Sequence, residues 1–150
     1  MNNDCILYAE DDPNDAFFLQ HAFDEVGIHN PLQIVKDGQE AIDYLAGVGL
    51  FTDRRRYPPP CLILLDLKMP RKSGIEVLAW IRAQPAMCCV PVLVLSASCL
   101  ASDLEKASLL GANSYIIKPF SLEERVEFAQ AIRSFWLHFH YRPDLTTLGK

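Results

Sequence analysis

The stretch Cys61-Leu62-Ile63-Leu64-Leu65-Asp66-Leu67-Lys68-Met69-Pro70 passes from a continuous apolar run into a carboxylate, a lysine and a proline. An apolar run too short for a helix reads as a strand buried on both faces, and such strands belong to parallel sheets. Four further runs share the pattern: Ile6 to Ala9, Leu32 to Val35, Val92 to Leu95 and Tyr115 to Ile117. Between them, apolar residues recur at helical spacing: Ala16, Leu19, Phe23 and Val26; Val77, Leu78 and Ile81; Leu100, Leu104 and Ala107; Leu122, Val126, Ala129, Ile132 and Trp136. A shorter helix is predicted over Gly38 to Leu45. Strand and helix alternate, so the chain is predicted to fold as an α/β domain, a parallel sheet with helices on both faces.

The helix starts carry chemical signatures. Asp12 before Pro13 reads as an N-cap, and Ser73 with Glu76, Ser102 with Glu105 and Ser121 with Glu124 each match a capping box. The irregular stretch from Gly47 to Pro60, with Arg54-Arg55-Arg56 and Pro58-Pro59-Pro60, is predicted to be an extended surface loop with solvated arginines.

At 150 residues the chain is one domain's length, and folding should bury roughly 69% of the surface of the unfolded chain. With 14 basic and 19 acidic side chains the net charge is −5, which disfavours direct binding to nucleic acid. No apolar run approaches a membrane span, and the N-terminus has no secretory signal, so a cytoplasmic protein is expected. Cys5, Cys61, Cys88, Cys89 and Cys99 are odd in number and without C-x-x-C spacing; they read as buried thiols of a reducing compartment. The adjacent Cys88 and Cys89 read as inert, a redox pair being the alternative. His21, His29, His138 and His140 fall away from strand ends and read as solvated or packing residues.

Ligands of parallel α/β sheets bind beyond the carboxyl ends of the strands. In this sequence those ends carry Glu10-Asp11-Asp12, Asp66, Ser96 and Lys118-Pro119. If the first and third strands are neighbours, several carboxylates share one crevice, and each like-charge pair at ~4 Å costs about 4 kcal/mol at an effective dielectric of about 20. A cation is needed, and oxygen-only donors select a hard one such as Mg²⁺. Together with a lysine and a hydroxyl, that makes a socket for a phosphoryl group. No G-x-x-x-x-G-K-[ST] cradle for a nucleotide is present, and a carboxylate can itself be the nucleophile.

Glu10-Asp11, Asp66, Ser96-Ala97, Tyr115 and Lys118-Pro119-Phe120, in this order across five strand–helix units, resemble the response-regulator receiver domain of two-component signalling. Leu65 to Pro70, with Gly74 after it, resembles the phosphorylation-site loop of that family. The resemblance covers residues 4 to 135. The long proline-bearing loop and the aromatic end are similar to single-domain regulators associated with phytochrome and other hybrid sensor kinases. It implies a flavodoxin-like, doubly wound sheet of order 2-1-3-4-5 with five helices, spanning 1–150 as one receiver domain with a core of about 4–135 and an aromatic extension, 136–150. It further implies that Asp66 accepts phosphate from a phosphohistidine on a sensor histidine kinase or histidine phosphotransfer protein. Asp11, Asp66 and the Lys68 backbone carbonyl would hold Mg²⁺, with Glu10 acting through water. Lys118 would pair with phosphoryl oxygens, and Ser96 and Tyr115 would be the switch residues, Ser96 standing where the family often has Thr.

By this reading the chain is a phosphoacceptor, catalysing only its own phosphorylation and dephosphorylation, and it would serve as a phosphate shuttle or a docking switch for a downstream protein. Two rivals stay open. A Mg²⁺-dependent phosphatase of the haloacid dehalogenase type also uses a strand-end Asp and a lysine, but expects a second Asp where Lys68 stands. A phosphorylation-independent adaptor with a vestigial pocket is the other. Asp12 reads as a helix cap more than a ligand, and Tyr115 equally as a half-buried strand aromatic. The segment Phe135 to Tyr141 covers the domain's own core edge or supports a homodimer through the face of the fifth helix.

Overall fold

The computed structural model describes residues 4–141. Five strands, β1 (Ile6–Ala9), β2 (Leu32–Val35), β3 (Leu62–Asp66), β4 (Val92–Ser96) and β5 (Ser114–Ile117), alternate with α1 (Pro13–Glu25), α2 (Gly38–Ala46), α3 (Gly74–Ala83), α4 (Ala101–Leu109) and α5 (Leu122–Ala131) among the described residues. All strand pairings are parallel, in the order β2-β1-β3-β4-β5 that the receiver resemblance implied. β1, β3 and β4 are buried along their whole length, while the edge strands β2 and β5 are partly open. That is why the three central runs are continuously apolar whereas Gln33 and Ser114 interrupt the edges.

Because side chains alternate across a strand, the sheet divides the core in two. Leu7, Ala9, Ile63, Leu65, Val92 and Val94 face α2, α3 and α4. Ile6, Tyr8, Leu62, Leu64, Leu93 and Leu95 face α1 and α5. The alternation continues past the strand ends and decides which polar residues meet.

The termini of the helices follow the sequence in part. Asp12 accepts from the Asn14 N–H at the start of α1, and Ser73 with Glu76 forms a full capping box on α3. Ser121 accepts from Glu124 as expected, but Glu124 reaches the Phe120 N–H at 3.4 Å. The capping box expected at Ser102 is absent: α4 starts earlier, at Ala101, with Leu100 in the cap position and no side-chain cap. Ser98 takes over, its Oγ donating to Asp103 at 2.6 Å while accepting from the Leu100 N–H at 3.3 Å. Replacing Ser73 by Ala is therefore expected to lower stability by about 1 kcal/mol, as for a lost N-cap. Ser102→Ala should leave stability unchanged, and urea unfolding midpoints at constant slope check the pair.

Other expectations are corrected. Cys5 is buried, Cys61 half-buried, and Cys88, Cys89 and Cys99 are exposed, because the last three lie in turns before and after β4 and not in it. The stretch Gly47 to Pro60 is not merely an extended loop: Gly49–Phe51 makes a 3-10 turn, and Phe51 is buried with ring centroids 5.1 Å from Tyr44 and 5.0 Å from Tyr57. Arg54 is not simply solvated; it donates to the Tyr44 carbonyl at 2.6 Å and lies over the Tyr44 ring. In α4 the apolar stripe is largely unmet, for only Ala107 is buried and Leu100 and Leu104 are exposed. Beyond α5 the chain continues as a π-helical stretch, Ile132–Phe139. There Trp136 and Leu137 pack on the α1/α5 core, while Phe135, Phe139 and Tyr141 are exposed. Of the extension 136–150, residues 142–150 lie outside the described residues. No helix among the described residues is long and apolar enough to cross a membrane.

Candidate phosphoacceptor site

β1 and β3 run level, Ala9 beside Leu65, so the next residues, Glu10 and Asp66, emerge side by side at the carboxyl edge of the sheet. Both continue the alternation of Tyr8 and Leu64 and therefore lie toward α1 and α5; Lys118 follows Ile116 toward the same side. The consequence is a convergence of charge. Lys118 Nζ lies 2.6 Å from Glu10 Oε2, 3.0 Å from Asp15 Oδ2 and 3.2 Å from Asp66 Oδ2. One carboxylate oxygen each from Glu10, Asp11 and Asp66 lies within 4.8 Å of the others. Glu10 and Asp66 are buried and Asp11 is exposed, which leaves the cluster open to water on the Asp11 side.

Local hydrogen bonds fix these groups. Tyr8 donates its hydroxyl to Glu10 Oε2 at 3.1 Å, and the Asp12 N–H donates to Glu10 Oε1 at 3.1 Å. The Lys68 N–H donates to Asp66 Oδ1 at 3.2 Å, leaving Oδ2 to Lys118. Gly74, the first residue of α3, is pressed against the back of this loop: a Cβ there would come within 2.2 Å of the Asp66 carbonyl oxygen and 2.6 Å of Leu67 Cα. Any side chain at 74 would have to displace the backbone that carries Asp66. On the far side, Asp37 caps α2 through the Glu40 N–H and pairs with Arg71 at 3.2 Å, tying the loop after β3 to α2.

Burial pushes the Glu10 carboxyl up, to about 7; the Asp66 charge adds to the rise, and the Lys118 ammonium and Asp12 N–H pull it back. For Lys118 burial acts downward, but hydrogen bonds to Glu10 and Asp15 and the Asp66 charge outweigh it, so the group is held above its ordinary value. An acid and a base both pushed up are what one ammonium among several carboxylates produces. The ammonium keeps its proton, and the most buried acid is the first to gain one. Burial, then the Glu10 charge, likewise pushes the Tyr8 hydroxyl up, so it stays a donor.

This donor set fits a hard divalent cation: three carboxylates, no thiol or imidazole among them, and an excess of negative charge that one lysine leaves uncompensated. Ser96 and Tyr115 sit elsewhere. They belong to the opposite face of the sheet, after Val94, and they converge on one residue that the sequence did not single out. The buried Ser96 Oγ accepts from the Ser98 N–H at 3.1 Å, and the Tyr115 hydroxyl donates to the Ser98 carbonyl at 2.9 Å. The acids with Lys118, and Ser96 with Tyr115, thus occupy opposite faces of the sheet. Pro119 is in a trans peptide, and no cis bond occurs among the described residues.

Asp15, Tyr8 and Ser98 were not foreseen. Asp15 had a usable signal, lying one helical turn after Asp11, but an acid in the first turn of a helix is also what the helix dipole favours.

Comparison with known proteins gives a consistent result. A model of the response regulator receiver domain matches residues 6–130. The probable methanogenesis regulatory protein FilR2 of Methanothrix harundinacea is 33% identical over 138 residues, covering 92% of this chain and 86% of that protein. Response regulator Rcp1 of Synechocystis sp. is 36% identical over 132 residues, 88% of each chain. The crystal structure of its Mn²⁺-bound form superposes with a TM-score of 0.83 at 35% identity, covering 94% of this chain and 99% of that one. The phosphorylated cyanobacterial phytochrome response regulator RcpA superposes with a TM-score of 0.86 at 34% identity, covering 94% and 99%.

Proposed function

Because this chain belongs to the response regulator receiver family of two-component signalling, we propose that Asp66 is its phosphoacceptor. The observation that carries the reading is the Asp66 carboxylate held by Lys118 at 3.2 Å inside a cluster with Glu10 and Asp11. Asp66 Oδ attacks the phosphorus of a phosphohistidine on a sensor kinase or histidine phosphotransfer protein. The P–N bond breaks as the P–O bond forms, and the imidazole leaves with the bonding pair and a proton, leaving an acyl phosphate on Asp66. Asp11, Asp66 and the Lys68 backbone carbonyl would hold Mg²⁺, with Glu10 acting through water; when bound, the ion neutralises charge on the phosphoryl oxygens. Lys118 then turns from the free carboxylates to the phosphoryl group.

For Ser96 to reach that group it must release the Ser98 N–H, and the carbonyl of the same residue is the acceptor for Tyr115. A charge event at Asp66 thereby biases the segment Ser98 to Leu100 that leads into α4, where Leu100 and Leu104 lie exposed for a downstream protein target. We read residues 1–150 as one receiver unit, with a core of about 4–135. The partner reading, a phytochrome-type or other hybrid sensor kinase, draws on the named relatives. Self-association through the α5 face draws on the exposed rings of Phe135 and Phe139.

Acetyl phosphate with Mg²⁺ is expected to add one phosphate per chain, read by intact mass, and a chelator should prevent it. Multiple turnovers of a phosphomonoester per chain would instead favour the phosphatase.

A further inference from the structure

Cys88 and Cys89 take no part in the site described above. Both are exposed, and their Sγ atoms lie 3.5 Å apart in the turn between the 3-10 segment Pro85–Met87 and β4, at the opposite end of that strand from Ser96. The turn is clamped from inside by Arg82, whose guanidinium donates to the carbonyls of Val90 at 2.9 Å, Cys88 at 3.1 Å and Met87 at 3.4 Å. The same guanidinium holds Gly111 and Asn113 at 3.0 and 2.8 Å, so the clamp is fixed at both ends. With the carbonyls drawn inward, the two exposed thiols are presented outward together.

We propose that Cys88 and Cys89 form a reversible oxidation site that takes a hydroperoxide and closes to a disulfide between chain neighbours. The Cys88 thiolate attacks the distal peroxide oxygen, the O–O bond breaks, and the departing hydroxide takes up a proton to leave as water, or as an alcohol from an organic hydroperoxide. Cys88 is then a sulfenic acid. The Cys89 sulfur attacks the Cys88 sulfur, the S–O bond breaks, and hydroxide leaves as a second water with the Cys89 proton. Two electrons pass from the pair to the peroxide. The hydrogen bond to Cys88 pushes the Cys89 thiol up. Neighbouring Cα atoms are about 3.8 Å apart, below the ~4.4 Å at which ordinary disulfides begin, so the ring is strained and readily reduced. That property suits a sensor and not a structural staple.

The test uses the reduced full chain, treated with one equivalent of hydrogen peroxide, then alkylated with iodoacetamide and mapped by mass. The expected result is a peptide carrying Cys88 and Cys89 that is lighter by about 2 Da, unalkylated at both sulfurs and restored by dithiothreitol. Cys99, the exposed cysteine without a close thiol, serves as internal control and should remain alkylated. In Cys89→Ser, dimedone should trap Cys88 as its sulfenic acid adduct. The proposal is overturned if Cys88 and Cys89 stay as alkylatable as Cys99, if they pass to sulfinic acids without the ring, or if dimedone finds nothing at Cys88 in the variant.

Discussion

Asp66→Asn is expected to take phosphoryl incorporation from about one group per chain to none, in acetyl phosphate and Mg²⁺ alike, while leaving the fold intact. The amide has no charge and no nucleophilic oxygen for phosphorus, yet it keeps the shape of the carboxylate. Its oxygen can still accept from the Lys68 N–H, which meets Asp66 Oδ1 at 3.2 Å. Stability should change little: the pairing of Asp66 with Lys118 at 3.2 Å is lost, but Lys118 keeps Glu10 and Asp15, and the substitution removes one of three acids whose oxygens lie within 4.8 Å of one another. Like charges at that spacing cost on the order of 1–4 kcal/mol per pair between water and an effective dielectric of about 20, so the variant can even gain. A variant that unfolds at equal or higher urea concentration and takes no label locates the chemistry at Asp66. Label persisting in a folded variant would move it, and Asp11, the exposed acid of the cluster, would be the next acceptor to replace.

The strands were legible because three of them are buried on both faces, and burial of that kind leaves an unbroken apolar run. Their ends were less so: β3 and β4 include Asp66 and Ser96 in the ladder, and no apolar pattern marks a polar last residue. The site residues could be found because each stands where an apolar run stops. That Glu10, Asp66 and Lys118 face α1 and α5 while Ser96 and Tyr115 face α4 follows from alternation, but only once the register of β1 on β3 and β4 on β5 is known. What stayed hidden was non-local. Ser98 wins the start of α4 from Ser102 through Asp103 and is held from another strand by Tyr115, neither visible as spacing. Arg54 is held, half-buried, over Tyr44 by a ring cluster assembled from α2 and the following loop. The exposed cysteines misled for a simpler reason: Cys counts as apolar in a pattern, but turns place Cys88 and Cys89 outside the strand they precede.

Lys118→Met should destabilise the metal-free protein by about 3 kcal/mol and make its stability depend on Mg²⁺ more steeply than that of the unchanged chain. Methionine replaces the aliphatic stem, so the loss comes from charge and not from a cavity. The Lys118 side chain is 13% exposed, and its ammonium meets Glu10, Asp15 and Asp66 at 2.6, 3.0 and 3.2 Å. Without it, Glu10 and Asp66 keep their burial and lose their shared cation, and removing one partner of a buried ion pair costs about 3–5 kcal/mol. The lower end applies, because Glu10, already pushed up to about 7, can relieve part of the strain by taking a proton. A divalent cation relieves the same excess. In the variant it meets the carboxylates without a competing ammonium, so its affinity should rise at least about tenfold, worth about 1.4 kcal/mol of added stabilisation at saturating concentrations. Urea unfolding in chelator and across a Mg²⁺ series, for both proteins, reads the two effects separately. A variant destabilised in chelator but no more responsive to Mg²⁺ than its parent would mean that Lys118 and the ion do not compete for one set of oxygens, and the acids of β1 and β3 would have to be assigned to a purely structural ion pair.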